Sequence, residues 1–162
     1  MARKTTKQEL IWRLIAAFRE AGNQDGAIED LAAGRLGISA TDLRCLNAIE
    51  NAGGLTAGEL AREVGVTTGA VTGALDRLEK VGYARRGPDP DDRRRVRVTV
   101  TSAFHDAAAG IWGPLAVDWQ RRVGAHFTAA ELETIVRFLE LTGEIGGEHL
   151  ERLVEERGGA SG

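Results

Sequence analysis

The chain has 162 residues, of which 43% are hydrophobic and 28% are charged, and its formal net charge is −3 at pH 7. This length suits one domain with its own hydrophobic core. No apolar run is long enough to cross a bilayer and no signal-peptide pattern is present, so we expect no membrane association. The single cysteine, Cys45, excludes an internal disulfide framework and is typical of a cytoplasmic protein.

The first third of the chain has helical patterns. Apolar residues predict a helix from about residue 6 to residue 33, although Gly22 and Gly26 leave its middle uncertain. After a short connector, Ser39 and Asp42 have the spacing of a capping box, which predicts a second helix that ends near residue 51.

Two short helices joined by a glycine turn come next. Thr56 and Glu59 form a T-x-x-E capping box, which marks the start of the first of them. Gly65 ends this helix, because glycine tolerates the left-handed backbone of a tight exit turn, and Thr67 is the expected N-cap of the second helix. The second helix buries one stripe and closes at a glycine, and the residues that define this pattern are Val71, Leu75, Leu78 and Gly82.

The outer face of this second helix is small and polar near its N-terminus, which favours insertion into the major groove of duplex DNA. Small residues let a helix backbone lie deep in the groove, and threonine can contact bases or the thymine methyl group. The alternative is an ordinary surface on which two glycines weaken the helix by about 1 kcal/mol each relative to alanine. We expect threonines to read bases and the arginine to contact phosphate, and the predicted DNA contacts are Thr67, Thr68, Gly69, Thr72, Gly73 and Arg77.

An arginine-rich hairpin follows these helices. Val96, Val98 and Val100 alternate with polar residues, as in a strand with one apolar face, and a partner strand is predicted around residues 83–86. The loop 87–92 is rich in turn-forming residues. Arginines after it can enter a narrow minor groove, where the negative potential is enhanced; a solvated charge run is the alternative. The predicted DNA contacts here are Arg86, to phosphate, and Arg93, Arg94 and Arg95.

Local charge agrees with this interpretation. Between Arg62 and Arg97 there are nine basic and six acidic residues, so the segment has a formal charge of +3 although the whole chain is negative. Because a polyanion docks where the local charge is positive, the total charge does not exclude double-stranded DNA as a partner.

Two further helices are predicted after the hairpin. Apolar residues repeat every four positions from Ala107 to Val123, and Pro114 within this series predicts a kink or a break. Thr128 and Glu131 form another capping box at the start of a long amphipathic helix, in which the glycine pair at 146–147 is the weak point.

The segment from Leu55 onward resembles the MarR family of bacterial transcriptional regulators. The resemblance rests most on an L-x-x-L-E-x-x-G helix end, at 75–82, and on a D-P-x-D-R-R loop, at 89–94. After the hairpin the family often reads L-T-x-x-G, whereas this chain departs from that pattern and has bulky Phe104 at the entry into the next helix. The other matching positions are Leu55-Thr56, Glu59-Leu60-Ala61, Gly65-Val66-Thr67 and Val71-Thr72.

The resemblance implies a mainly α fold with a small β-hairpin wing (α+β): a winged helix-turn-helix flanked by N- and C-terminal dimerisation helices. It divides the chain into a dimerisation helix with connector (1–38), a DNA-binding unit (39–101), C-terminal dimerisation helices (102–157) and a disordered tail (158–162). It further implies a homodimeric repressor on an inverted-repeat operator. The terminal helices carry more apolar residues than a small winged helix can bury, which favours pairing; a monomer whose flanking helices cover each other is the alternative.

Small-molecule control is a further implication of the resemblance. In such regulators an aromatic or anionic effector binds where the dimerisation helices meet the DNA-binding unit. In the wing, Asp92 is expected to brace Arg94. The candidate effector contacts are Trp12, Arg19, Arg44, Trp112 and Trp119.

Enzyme activity is not favoured by the sequence, and no cofactor or metal site is predicted. The three histidines are scattered, and no Ser/His/Asp or Cys/His arrangement has a family spacing. A metal-sensing regulator that uses His149 with Glu148, a ligand-independent regulator and a winged helix used only for protein contact remain as alternatives.

Overall fold

The computed structural model describes residues 5–159 as a mainly helical protein with one antiparallel hairpin, which confirms the predicted fold class. In chain order the elements are α1 (Lys7–Leu36), α2 (Ala40–Asn51), α3 (Ala57–Val64), α4 (Thr68–Lys80), β1 (Ala84–Pro88), β2 (Val96–Val100), α5 (Ser102–His126) and α6 (Ala129–Gly159). We call α3 with α4 the helix-turn-helix, and β1 with β2 and the loop between them the wing.

The hydrophobic core lies inside the winged helix-turn-helix. Three buried residues near its end, Ala32, Ala33 and Leu36, are all that α1 adds to it. A fully buried valine, leucine, isoleucine or phenylalanine side chain stabilises a fold by roughly 1.5–3 kcal/mol. The largest fully buried residues come from α2, α3, α4, β2 and the first turn of α5, and they are Leu43, Leu46, Ile49, Leu60, Val71, Leu75, Leu78, Val98 and Phe104.

The predicted capping boxes form as the sequence indicates. Ser39 and Asp42 exchange hydrogen bonds between side chain and backbone at the start of α2, and Thr56 and Glu59 do the same at the start of α3. The Thr128 and Glu131 pair caps α6 in the same way. These reciprocal bonds satisfy backbone donors that no helical carbonyl can reach.

The wing is longer than predicted. Gly87 and Pro88 were expected in the loop, but they pair with Arg97 and Val96 and extend β1 by two residues. A proline fits there because β1 is an edge strand, whose outer N–H groups need no partner.

A third segment joins the hairpin through Leu55, which the sequence pattern did not reveal. Leu55 and Val98 exchange two backbone hydrogen bonds of 3.1 and 2.8 Å. The residue before it, Gly54, has φ of +122°, and a Cβ at this position would lie only 2.5 Å from Nε of Arg97. Glycine is therefore required where the chain enters this contact.

The long helices are more continuous than the sequence suggested. α1 runs through Gly22 and Gly26, and α6 runs through the glycine pair at 146–147. Of the predicted kink or break at Pro114, the break does not occur, because α5 continues for twelve residues beyond the proline. The missing N–H donor is a local loss. α6 includes residues 158 and 159 of the predicted tail, and residues 160–162 lie outside the described part of the chain.

The entry into α5 is regular despite Phe104. Thr101 caps the helix by accepting a hydrogen bond from the Phe104 backbone. The Phe104 ring is buried and lies edge-on to Tyr83, with ring centroids 5.9 Å apart. The bulky residue that seemed out of place is thus an anchor of α5 in the core.

Apolar faces of α1, α5 and α6 are left uncovered. Leu31 of α1, for example, is 73% exposed. None of the helices among the described residues is long and apolar enough to cross a membrane. The rings of Phe18 and Phe138 pack edge-on with their centroids 6.3 Å apart, so α1 and α6 contact each other within one chain. The other exposed apolar residues of these helices include Leu10, Ile11, Trp12, Leu14, Ile15, Val117, Trp119, Val136, Leu139, Leu141, Ile145, Leu153 and Val154.

Candidate nucleic-acid interface

The turn between α3 and α4 sets the direction of α4. Gly65 has φ of +71°, and the Val66 backbone N–H donates to the carbonyl of Ala61 at 3.1 Å, which closes the first helix. Thr67 then caps α4 by accepting a hydrogen bond from the Ala70 backbone at 3.3 Å. This tight turn holds the N-terminus of α4 at the surface, in the position of a recognition helix.

The exposed face of α4 has the predicted composition. Thr68, Gly69 and Thr72 are exposed and Gly73 is half-buried. Ala70 is also exposed, which the sequence pattern did not indicate. The Thr72 hydroxyl donates to the Thr68 carbonyl at 3.0 Å, so its oxygen and methyl group remain for an outside partner.

Arg77 is held by a carboxylate of another helix, which the sequence pattern did not indicate. Its guanidinium forms a two-point ion pair with Asp42 of α2, at 3.1 Å from Nε and 2.6 Å from Nη2. Arg77 remains 57% exposed whereas the Asp42 side chain is 3% exposed. The two residues are far apart in sequence, which is why helical periodicity could not reveal the pair.

Arg86 is also held within the protein. Its guanidinium pairs with Glu79 and, at 2.9 Å, with Asp76, and its backbone N–H donates to Glu79 at 2.8 Å. The phosphate contact of Arg86 stays a prediction, and in it both carboxylates would compete with DNA for this arginine.

Asp89 organises the wing loop, a role that the sequence analysis missed. It is buried and accepts hydrogen bonds from the backbone N–H groups of Asp91 and Asp92 at 2.9 and 3.3 Å. The bond from Asp91, aided by that from Asp92 and by nearby Arg97, holds the pKa of Asp89 below its usual value despite burial. The D-P-x-D pattern could have indicated this Asx-type turn.

The three consecutive arginines differ in their surroundings. Arg93 is exposed and forms no ion pair within residues 5–159. Arg94 is 92% exposed, and its Nε and backbone N–H lie 3.2 and 3.1 Å from one carboxylate oxygen of Asp92; bracing of Arg94 toward DNA stays a prediction. Arg95 instead pairs with Glu59 of α3 at 2.5 Å, which connects the wing to the helix-turn-helix.

The Glu59 carboxylate caps α3 and anchors Arg95 at once. Hydrogen bonds from the Thr56 backbone and hydroxyl, together with the one from Arg95, lower the pKa of Glu59 to about 2. The carboxylate therefore stays ionised through the whole physiological range. Arg95, one of the three consecutive wing arginines, is therefore engaged in a contact within the protein.

The candidate effector residues are dispersed in the single chain. Trp12 lines a groove on α1 with Thr5, Glu9 and Arg13. Trp119 lines a different groove of about 410 Å³ along α5, together with Arg122 and His126 among others. Trp112 packs against the core, and Arg19 and Arg44 are exposed on α1 and α2. Within residues 5–159 no cluster of three or more His, Cys, Asp or Glu side chains could hold a metal ion.

A helix-turn-helix followed by a hairpin with an arginine tip defines a winged helix-turn-helix protein. A family model described as MarR family matches residues 36–95, and the chain is 36% identical over 153 residues to YcgE of Bacillus subtilis, described as an uncharacterized HTH-type transcriptional regulator. That alignment covers 94% of this chain and 99% of YcgE. The chain belongs to the MarR family, and it is a DNA-binding transcriptional regulator rather than an enzyme.

Solved structures share the fold. A MarR family transcriptional regulator from Silicibacter pomeroyi matches with a TM-score of 0.61 at 21% identity, covering 86% of this chain and 94% of that one. A mutant MarR from E. coli, crystallised with operator DNA, matches with a TM-score of 0.51 at 25% identity, covering 85% and 99%. These matches confirm the winged helix-turn-helix fold, and the family model together with the curated relatives confirms the resemblance to the MarR family.

The glycine surface of α4 gives a first prediction. A methyl group at Gly69 would meet nothing within 4 Å in the protein. We expect Gly69→Ala to raise the free energy of unfolding by up to about 1 kcal/mol, since alanine is the better helix former. The same change should weaken binding to duplex DNA, because the methyl group obstructs close approach to the groove. Urea denaturation and titration with a fluorescent duplex measure the two effects.

Gly110→Ala is the matched control for Gly69→Ala. Gly110 also has open space around it, but it lies in α5, away from α4 and the wing. It should raise stability similarly and leave DNA affinity unchanged. Equal DNA affinities for wild type and Gly69→Ala would show that this face does not approach DNA.

The wing gives a second prediction. Asp92→Asn keeps an oxygen for the Arg94 backbone but removes the charge that holds its guanidinium. Although charge counting favours tighter binding, we expect weaker binding to duplex DNA, by less than about fivefold because exposed pairs are worth under about 1 kcal/mol. Arg94→Ala should cost more and should abolish the effect of Asp92→Asn in a double-mutant cycle.

Asp91→Asn is the control for the wing experiment, because Asp91 is exposed and has no such contact with Arg94. It should leave binding unchanged or tighten it, since it removes a negative charge near phosphates. Tighter binding by Asp92→Asn at constant salt would mean that the wing acids only repel DNA.

Proposed function

We propose that the protein is a sequence-specific repressor that binds an inverted-repeat operator as a homodimer and is released by a small molecule. The observation that carries DNA recognition is the exposed, small and polar N-terminal face of α4 beside a wing whose tip presents Arg93 and Arg94. The first surface suits the major groove, and the second suits the minor groove. The E. coli MarR structure with operator DNA, at 25% identity, supports this assignment.

The uncovered apolar faces support the dimer. α1, α5 and α6 each expose large apolar side chains, and contiguous surfaces of this kind normally mark a protein interface. A second copy of the chain offers the same faces, so a two-fold pairing can bury both sets at once. Two copies of α4 would then face DNA with opposite polarity.

Operator geometry tests the dimer and the specificity together. Two-fold symmetry requires an inverted repeat whose half-sites lie about one helical turn, roughly 10 base pairs, apart. Footprinting on the DNA upstream of the chain's own gene should show one continuous symmetric protection. A single half-site bound as tightly as the full repeat would contradict the dimer, and protection without any sequence preference would contradict specific recognition.

Aromatic residues on the long helices support the proposal of effector release. All three tryptophans lie on α1 or α5, and Trp119 lines the α5 groove beside two groups that can bear positive charge, Arg122 and His126. A ligand that prefers a dimer in which the two copies of α4 have the wrong separation for the operator would weaken DNA binding without touching the DNA.

Tryptophan fluorescence tests this release directly. Titration with small aromatic acids should change the emission and lower operator affinity by about 5- to 150-fold, the range of typical allosteric coupling. A broad panel without either response would favour a ligand-independent regulator. A fluorescence response to divalent metal ions alone would favour the metal-sensing alternative. If the chain binds another protein but no DNA, the winged helix serves only for protein contact.

A further inference from the structure

The carboxylate of Asp42 is committed to two structural tasks below the surface. It accepts a hydrogen bond from the Ser39 backbone at 3.3 Å as part of the α2 cap, and it holds Nε and Nη2 of Arg77. Burial acts to raise the pKa of Asp42, but the hydrogen bonds from Arg77 and Ser39 outweigh it, so the pKa lies below its usual value. The side chain is therefore a fixed anion beneath the exposed α4.

The pair with Asp42 uses only one edge of the Arg77 guanidinium. Nη1 and the second hydrogen of Nη2 form a second edge, and this edge is not occupied by Asp42. Nη1 lies 3.5 Å from the place where a side chain at Gly73 would begin, so the guanidinium extends back along α4 over Gly73. The free edge thus lies on the side of α4 that carries Gly69 and Gly73.

We propose that Asp42 is a positioning residue that holds Arg77 so that its free edge reads a guanine in each half-site of the operator. The proposal rests on the DNA-binding function proposed above. Two parallel N–H donors match the O6 and N7 acceptors that guanine presents in the major groove. A carboxylate on the neighbouring edge fixes the plane and direction of the guanidinium before DNA arrives, which reduces the side-chain entropy lost on binding.

Charge favours a base over a phosphate as the partner of Arg77. Asp42 offsets most of the positive charge of Arg77 at distances of 2.6 and 3.1 Å, so attraction to a phosphate is reduced. The directional hydrogen bonds of the free edge are retained. Arg94, exposed at the wing tip, keeps more of its charge for long-range attraction.

The test selects preferred sites from a pool of duplexes with a randomised central segment. The wild-type chain should enrich one guanine at a symmetric position in each half-site. Arg77→Lys keeps the positive charge but loses the two parallel N–H donors of the guanidinium. Asp42→Asn keeps the shape of the side chain but removes the negative charge beside Arg77. Both variants should lower discrimination for that guanine by about tenfold, within the range of one good bidentate contact.

Binding to a duplex without the selected site separates positioning from folding. Asp42→Asn frees the charge of Arg77, so affinity for this duplex should stay the same or rise. A general loss of folded protein would instead lower affinity for every duplex in parallel. Ser39→Ala is the control, because it removes the side-chain acceptor of the α2 cap, 3.1 Å from the Asp42 backbone N–H, and leaves the ion pair; it should retain the guanine preference.

Two results would overturn the inference. The first is an unchanged guanine preference in both Arg77→Lys and Asp42→Asn. The second is a uniform loss of affinity for all sequences in Arg77→Ala with a salt dependence reduced by about one unit, which indicates a phosphate contact. If the wild-type chain itself enriches no sequence, sequence-specific recognition fails as well, and this outcome is distinct from the other two.

Discussion

Ion pairs between separate elements hold the arginines of this DNA-binding surface in place. Arg77 is held by Asp42 of α2, Arg86 by Glu79 of α4, and Arg95 by Glu59 of α3. The long side chain of an arginine loses about 2 kcal/mol of rotamer entropy when it is fixed. The partly exposed pairs of Arg86 and Arg95 add little to folding stability, whereas loss of Arg77 would leave the buried Asp42 carboxylate without its partner. Their consequence is geometric, because they define where each guanidinium lies before DNA is present.

The same pairs explain why an acidic chain can bind a polyanion. Several of its carboxylates lie among the arginines, but they are engaged with guanidinium groups or with backbone N–H groups of the wing loop. Arg93 and Arg94 remain exposed at the wing tip, beside the polar face of α4. The arginines of the interface are therefore either held by carboxylates of other elements or exposed at the wing tip.

Local patterns in the sequence were sufficient for much of the fold and for part of the site. Capping boxes act within four residues, so the starts of α2, α3 and α6 follow from Ser39, Thr56 and Thr128. The Asp92–Arg94 contact is also local. In contrast, the partners of Arg77 and Arg95 lie about 35 residues away in sequence. The Leu55–Val98 bridge likewise joins the segment before α3 to β2 of the wing. No periodicity encodes such contacts, because they depend on the packing of whole helices.

The junction between the wing and α5 contains no flexible linker. Val100 ends β2, Thr101 caps α5, and the Thr101 hydroxyl donates to the Gly82 carbonyl at 2.6 Å while its backbone N–H donates to Tyr83 at 3.0 Å. Phe104 is buried one turn later, so we expect the wing to follow any rotation of α5 as a rigid body. A 25-residue helix is roughly 37 Å long, so a tilt of about 5° at its far end would swing the wing by roughly 3 Å, about the length of a hydrogen bond.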